Sequence, residues 1–168
     1  MNKTLGLHDI ETPIYLFISN ESTPEGRFPW YTLAEGENGQ TAKKYISQKA
    51  LTGKLEKLEL KEVEVKAGKK VEAKNKLDIH LKAGSDKYII RTGLDTTFYK
   101  GLLLKLKALT ETQLAGLITI TANPSTDSDK VVFAGIRLED EAVRAEWLPE
   151  ANFSEIIQNI NSSLSRKS

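Results

Sequence analysis

The chain has 168 residues, of which 39% are hydrophobic and 28% are charged, a composition that indicates a globular domain and excludes a disordered chain. It contains no cysteine, which excludes disulfides, thiolate metal sites and cysteine nucleophiles. The net charge of +1 hides an uneven distribution, because residues 43–107 hold 17 Lys and Arg against 8 Asp and Glu, whereas the remainder holds 7 against 15.

The basic middle of the chain has two interpretations. It suits an anionic partner, and it is equally typical of a solvated surface rich in lysine and glutamate. The N-terminal residues lack the apolar stretch of a signal peptide, and no segment reaches 18 uncharged apolar residues. We therefore expect a cytoplasmic protein with no membrane partner.

The first 50 residues predict an extension that packs on the main domain. Residues 14–18 (IYLFI) form an apolar run typical of a buried strand. Residues 27–33 (RFPWYTL) are the densest aromatic cluster, and Pro29 argues against a central strand because proline donates no hydrogen bond to a β-ladder. Residues 34–42 (AEGENGQTA) predict a turn or an exposed loop.

Residues 53–70 (GKLEKLELKEVEVKAGKK) fit two templates. Apolar residues at positions 51, 55, 58 and 65 fall near helical spacing, whereas leucines and valines within 58–65 alternate with charges as in a strand. The alternation changes phase between Leu60 and Val63. We favour one long strand with a bulge or sharp bend at Lys61 and Glu62.

The remaining elements follow from period and turn chemistry. Residues 77–81 and 87–92 predict two strands joined by a hairpin loop. After Gly93 the apolar period changes from 2 to 3.6, which predicts a helix over about 95–109 with Asp95 or Thr96 as N-cap. Residues 117–122 and 130–138 predict two more strands; in the second, Phe133 is expected in the core and Gly135 indicates a bulge or a close backbone approach. A last helix begins at the capping sequence NFSE, residues 152–155.

Counted from Gly53, the order is strand, strand, strand, helix, strand, strand. This order and the segments LTGKLEKLELKEVEV, KLDIHLKAGSDKYIIRTGL and DTTFYKGLLLKLKAL resemble the OB-fold single-stranded DNA-binding proteins of the phage and plasmid type, over residues 51–138. The resemblance implies a mainly β protein. It would have a five-stranded Greek-key barrel at 51–140 with a helix between strands 3 and 4, an N-terminal strand and aromatic extension at 1–50, and a C-terminal segment with a helix at 141–168.

The function that the resemblance implies is non-catalytic binding of single-stranded DNA in replication or recombination, with no cofactor. Such binding needs cations along the phosphates and flat rings for the bases. Single-stranded RNA would use the same surface, and cooperation between neighbouring copies on a strand would allow a homo-oligomer. The alternative is a protein-interaction or structural β-barrel module of a larger assembly.

In an OB-fold the ligand commonly lies on the outward positions of the second and third strands and on nearby loops. The candidate cations and polar groups are Lys69, Lys70, Lys74, Lys76, His80, Lys82, Lys87, Arg91 and Lys100. The candidate rings, with the Arg27 cation beside them, are Trp30, Tyr31, Tyr88 and Tyr99. Each has an ordinary alternative: a lysine can be merely solvated, and Trp30 and Tyr31 can plug the N-terminal block. Tyr88 faces outward only if Ile89, and not Ile90, points inward.

Motifs for catalysis are absent from the sequence. The two histidines, His8 and His80, lack partners at metal-binding spacing. No phosphate-binding glycine loop, dinucleotide fingerprint or nucleophile elbow occurs. We expect a protein that is not an enzyme and holds no metal.

Overall fold

The computed structural model describes residues 7, 12–24, 26–35, 41–128 and 130–167, and His8 lies outside them. Within this part of the chain the strands are β1 (Ile14–Thr23), β2 (Gly26–Glu35), β3 (Thr41–Ile46), β4 (Ala50–Ala67), β5 (Lys70–Ala83), β6 (Asp86–Gly93), β7 (Leu117–Pro124), β8 (Val132–Leu138) and β9 (Glu141–Ala142). The helices are α1 (Thr97–Lys107), α2 (Glu111–Ala115) and α3 (Phe153–Lys167).

These strands form one open, mixed sheet in the order β3-β2-β1-β6-β5-β4-β7-β8-β9. Neighbours are antiparallel, except that β1 runs parallel to β6. The predicted order is present as β4, β5, β6, α1, β7 and β8, but the predicted closed five-stranded barrel is wrong. The reason is that β1 occupies the edge of β6 at which such a barrel would close, so the sheet continues into β2 and β3.

Pro29 lies inside β2, which has a neighbour on each side, so the prediction that it excludes a central strand is wrong. The β1–β2 register shifts between Ile18 and Glu21, opposite Pro29, and pairing with β3 begins only at Trp30. Because Pro29 lies opposite this irregularity, no ladder hydrogen bond needs its missing amide hydrogen. Most of the turn predicted between β2 and β3, residues 36–40, lies outside the described residues.

The long strand favoured within 53–70, before a predicted turn at residues 68–70, is confirmed as β4, but its bulge lies elsewhere. The register with β5 shifts between Leu55 and Lys57. This extra residue turns both Leu55 and Leu58 into the core although they are three positions apart. Beyond Leu60 the pairing is regular, because the hairpin leaves the core there and no buried face requires a change of phase.

The core lies on the face of the sheet that carries the helices. Alternate residues of β5 and β6, including Leu77, Ile79 and Ile90, are fully buried there, in the same core cluster as Leu102 and Leu103 of α1. Burial of large apolar side chains is the main stabilising contribution of such a layer. The opposite face of these central strands therefore carries the intervening residues.

Both longer helices begin where the sequence predicts. The hydroxyl of Thr96 accepts a hydrogen bond from the Tyr99 amide at the start of α1, and Asn152 accepts one from the Glu155 amide at the start of α3. Farther along α3, the carboxamide of Asn161 makes two hydrogen bonds of 2.8 Å to the backbone N–H and C=O of Leu58. Since β7 pairs with β4 only at residues 50–54, this amide satisfies a strand edge that would otherwise be open.

The buried and exposed positions of β8 are the reverse of those expected from the placement of Phe133 in the core. Val132, Ala134 and Ile136 are buried, and Phe133 is 50% exposed, so its placement in the core is wrong. The bulge or close backbone approach predicted at Gly135 is not found, because the β7–β8 register is regular there; instead, the Thr121 hydroxyl occupies the space that a Cβ atom at Gly135 would need. Among the helices of the described residues, none combines the length and apolar character needed to cross a membrane.

Candidate nucleic-acid interface

The outer face of the sheet, opposite the helices, is defined by the side chains that alternate with the core residues. The register brings Phe17 opposite Tyr31 and Arg91, and it brings Asp78 opposite Arg91 and Glu59. Around the centre of this face lie Tyr15, Phe17, Tyr31, Tyr45, Lys57, Glu59, Asp78, His80, Lys82, Lys87, Ile89 and Arg91. Rings therefore occupy one side of the face, and charged groups occupy the other.

Four rings, Tyr15, Phe17, Tyr31 and Tyr45, form an aromatic row across β1, β2 and β3. The centroids of Tyr15 and Phe17 lie 6.2 Å apart and those of Phe17 and Tyr31 lie 5.3 Å apart, with 20° between the planes in each pair. Tyr45 meets Tyr31 edge-on, with 6.1 Å between centroids. All four residues are half-buried, so part of each side chain reaches solvent.

Two cations lie over rings of the aromatic row. Lys43 Nζ is 4.7 Å from the Tyr31 centroid, and the Arg91 guanidinium carbon is 5.0 Å from the Tyr15 centroid. Both distances are within the range of a cation–π interaction. Each of these two rings therefore has a cationic group packed against one face.

Asp78 holds Arg91 in this position. The carboxylate, 1% exposed, accepts hydrogen bonds of 2.7 Å from both Arg91 Nε and Nη2. These hydrogen bonds raise the pKa of Arg91 above its ordinary value. The Asp78 carboxylate compensates the charge of Arg91, so Arg91 adds little net positive charge to the face. Its guanidinium still packs over the Tyr15 ring.

His80 lies beside this pair and is 5% exposed. Its Nε2 is 3.1 Å from Glu59 Oε1, and among the described residues its Nδ1 has no hydrogen-bond partner. Burial lowers the pKa of His80 below 6.5; the Glu59 hydrogen bond opposes this, and the Lys57 and Lys87 charges reinforce it. The imidazole is therefore neutral at pH 7, and its Nε2–H donates to Glu59.

The fold brings Glu59, Asp78 and His80 together, although their spacing along the chain gives no metal motif. One ligand atom from each lies within 4.8 Å of the others. Both carboxylate oxygens of Asp78 are already bonded to Arg91, whose positive charge opposes a metal cation. The chemistry of this group therefore favours an internal polar network over metal binding.

The β4–β5 hairpin beyond the core, residues 61–76, is the basic arm. Its register pairs Lys61 with Lys76, Val63 with Lys74 and Ala67 with Lys70. These four lysines occupy alternate positions on one face, and Glu72 is the acidic residue at the intervening position of β5 on that face. The Lys61–Lys76 pair lies two residues along from the Glu59–Asp78 pair, so this basic face continues the outer face.

The structure brings many of the predicted site residues together. The residues on the outer face or on the basic arm, including its turn, are Tyr31, Lys69, Lys70, Lys74, Lys76, His80, Lys82, Lys87 and Arg91. The open question of phase in β6 is also answered, because Ile90 points into the core and Arg91 points outward.

Three predicted rings lie away from this face. Trp30 is 1% exposed and its Nε1 donates to the Gln48 carbonyl at 2.6 Å. Tyr99 is 5% exposed, packs on Phe153, and has a pKa raised by burial and by Asp95. Tyr88 packs against the core on the other side of β6. Trp30 and Tyr99 are therefore too buried to stack on a base, and Tyr88, although half-buried, lies on the face of β6 opposite the aromatic row.

Two predicted cations also lie elsewhere. Arg27 donates a hydrogen bond of 2.6 Å to the Ser125 carbonyl, which ties β2 to the β7–β8 connection. Lys100 lies on α1, away from the sheet surface that carries the aromatic row.

Most of the aromatic row was missed from the sequence. Tyr15 and Phe17 are two positions apart in IYLFI, and Tyr45 follows Lys43 by two in β3, so alternation was a usable signal. An unbroken apolar run such as IYLFI predicts a strand that is buried on both faces, so it does not indicate which of its residues face outward.

A scan against protein-family models, a search of curated proteins and a search of solved structures each found no match.

Proposed function

We propose that this protein binds single-stranded DNA on the outer face of its sheet and does not catalyse a reaction. The observation that carries the proposal is the aromatic row, whose part-exposed rings lie 5.3–6.2 Å from their neighbours on the sheet face that also carries the lysines of β4, β5 and β6. Unpaired bases stack on such rings, and each stacked base contributes about 1–3 kcal/mol.

The two halves of the face have complementary roles. Bases lie on the aromatic row, and the phosphates follow the lysines of β4, β5 and β6 toward the basic arm. Lys57 and Lys61 each lie 3.9 Å from a Glu59 carboxylate oxygen and keep 49% and 48% of their side-chain surface in solvent, so phosphate oxygens can still reach their ammonium groups. Each phosphate that they neutralise releases counterions, which makes binding weaker in high salt.

The face is suited to sequence-tolerant binding. Reading of base edges relies on bidentate groups, above all the fork of an arginine on guanine. The two nitrogens of Arg91 that form one such fork already donate to Asp78. Stacking and lysine contacts depend little on which base is present.

A titration of the full chain tests the proposal. Fluorescein-labelled oligo-dT, oligo-U and a duplex of equal length are followed by anisotropy at about 50 and 200 mM salt. We expect oligo-dT to bind more tightly than the duplex, with affinity that falls as salt rises and with quenching of tyrosine fluorescence. Equal binding of the duplex, or no binding of either strand at low salt, would overturn the proposal. Tighter binding of oligo-U would identify RNA as the ligand.

A further inference from the structure

Three lysines of the outer face lie directly opposite one another on neighbouring strands. Lys54 of β4 pairs with Lys82 of β5, and Lys82 pairs with Lys87 of β6. They form the lysine row, which crosses the central strands. Neighbouring strands lie about 4.8 Å apart, so the row spans about 10 Å. Lys54 and Lys82 are exposed and Lys87 is half-buried, so the row is open to solvent.

The charges of the lysine row are not compensated by carboxylates. In the part of the chain that the structure describes, Lys54, Lys82 and Lys87 have no hydrogen-bond or ion-pair partner. Burial lowers the pKa of His80, and the charges of Lys57 and Lys87 lower it further, so the cation at Lys87 acts on its neighbours across this face. Like charges directly opposite one another destabilise a sheet. A bound anion would relieve this repulsion.

The lysine row begins where the aromatic row ends. Tyr15 pairs with Ile89, and Lys87 precedes Ile89 by two positions, so Lys87 and Tyr15 are diagonal neighbours on the outer face. The basic arm begins on the far side of the Glu59–Asp78 pair. The lysine row and the basic arm are therefore two separate groups of cations, and the lysine row is the one that extends the line of rings across the sheet.

We propose that the lysine row binds successive phosphates of the DNA strand whose bases stack on the aromatic row, so that the strand crosses β1, β6, β5 and β4 in turn. This inference rests on the function proposed above and assigns a direction to the bound strand. It also adds Lys54, at the far end of the row, to the binding residues. Three cations in a line match a chain of phosphodiesters better than one compact anion, which all three could not contact equally.

A charge-neutralised variant of the full chain tests the proposal. In the row variant, Lys54→Gln/Lys82→Gln/Lys87→Gln, three phosphate contacts are lost. We expect its affinity for oligo-dT at about 50 mM salt to fall at least tenfold, and the slope of log affinity against log salt to become shallower by about 2. The control variant replaces Lys49, Lys100 and Lys130 by Gln and makes the same change in net charge outside the row. Equal losses in the two variants would overturn the proposal.

A deoxyribose-phosphate strand without bases separates phosphate contacts from stacking. The row variant should bind this abasic strand more weakly than the parent protein does, whereas Tyr31→Ala should bind it as tightly as the parent. A parent that binds oligo-dT but not the abasic strand at about 20 mM salt, or a row variant that binds the abasic strand as tightly as the parent, would overturn the lysine row alone. A parent that binds neither strand would overturn the proposed function as well.

Urea unfolding checks that the row variant is folded. Because the substitutions remove repulsion between like charges, its unfolding midpoint should be equal to or higher than that of the parent protein. A lower midpoint would contradict the repulsion inferred for the row. If the row variant does not fold, Lys82→Gln alone decides, and unchanged affinity for the abasic strand in that variant contradicts the assignment.

Discussion

Asp78 and Arg91 face each other across β5 and β6 and are joined by two hydrogen bonds of 2.7 Å. The Asp78 side chain is 1% exposed and that of Arg91 is 20% exposed, so the carboxylate depends on the guanidinium for solvation. The same guanidinium lies over Tyr15. One ion pair therefore connects the stability of the central strands to the geometry of the aromatic row.

Replacement of Arg91 alone should lower the free energy of unfolding more than replacement of both Asp78 and Arg91. Arg91→Ala leaves a buried carboxylate unpaired, and we expect it to lower the free energy of unfolding by about 3 kcal/mol. The double variant Asp78→Leu/Arg91→Met removes both charges and should recover most of that loss. Urea unfolding followed by circular dichroism measures both, with Lys87→Ala on the same strand as a control expected to change stability by about 0.5 kcal/mol or less. A double variant no more stable than Arg91→Ala would contradict this account.

Tyr31 is the ring on which the nucleic-acid proposal can be tested most directly, because it contacts Phe17, Tyr45 and Lys43. Tyr31→Ala should lower the affinity for oligo-dT by about 1–3 kcal/mol, and Tyr31→Phe should retain most of it since the flat ring remains. Trp147→Ala is the matched control, because Trp147 is 52% exposed and lies outside the sheet. Equal affinity losses in Tyr31→Ala and Trp147→Ala would show that the row is not the binding surface.

The basic arm should determine the salt dependence of binding. The triple variant Lys70→Gln/Lys74→Gln/Lys76→Gln removes three phosphate contacts, so the slope of log affinity against log salt should become shallower by about 2. The control replaces Lys49, Lys100 and Lys130 by Gln, which makes the same change in net charge away from the arm. Oligo-dT titrations at several salt concentrations measure both slopes. Identical slopes in the two triple variants would exclude the arm from the contact.

The order of elements from residue 53 onward could be predicted because period and caps are local properties. Alternation in β5, the change of period after Gly93 and the Thr96 cap each need only a few neighbouring residues. Closure of the sheet is not local. It depends on whether β8 or β1 takes the edge of β6, and that pairing joins residues about 75 positions apart, such as Leu16 and Ile90.

Prediction of the candidate site is likewise limited to features that depend on neighbouring residues in the sequence. Lys76 could be predicted from alternation, and Lys69, Lys70 and Lys74 could be predicted from their place around a hairpin turn, because both signals are local. Alternation indicates which rings of β1 and β3 share a face, but the aromatic row also requires the pairings of Phe17 with Tyr31 and of Tyr31 with Tyr45, which join different strands. Trp30 was misassigned for a related reason: an aromatic cluster signals large apolar area, and only the fold determines which of its rings are buried.

His80 predicts a dependence of stability on pH. Burial keeps the pKa of His80 in the folded state below its unfolded value of about 6.5. Between these two pKa values the unfolded chain binds the extra proton and the folded chain does not, so the free energy of unfolding falls as pH decreases through this interval. Below the folded pKa both states are protonated, and the loss from this group is complete. His80→Gln cannot titrate and should show a weaker decline between about pH 8 and pH 5.5, in urea unfolding at each pH. His8→Gln leaves His80 in place and should keep the decline of the parent protein; a decline lost in His8→Gln and kept in His80→Gln would assign the titration to the other histidine.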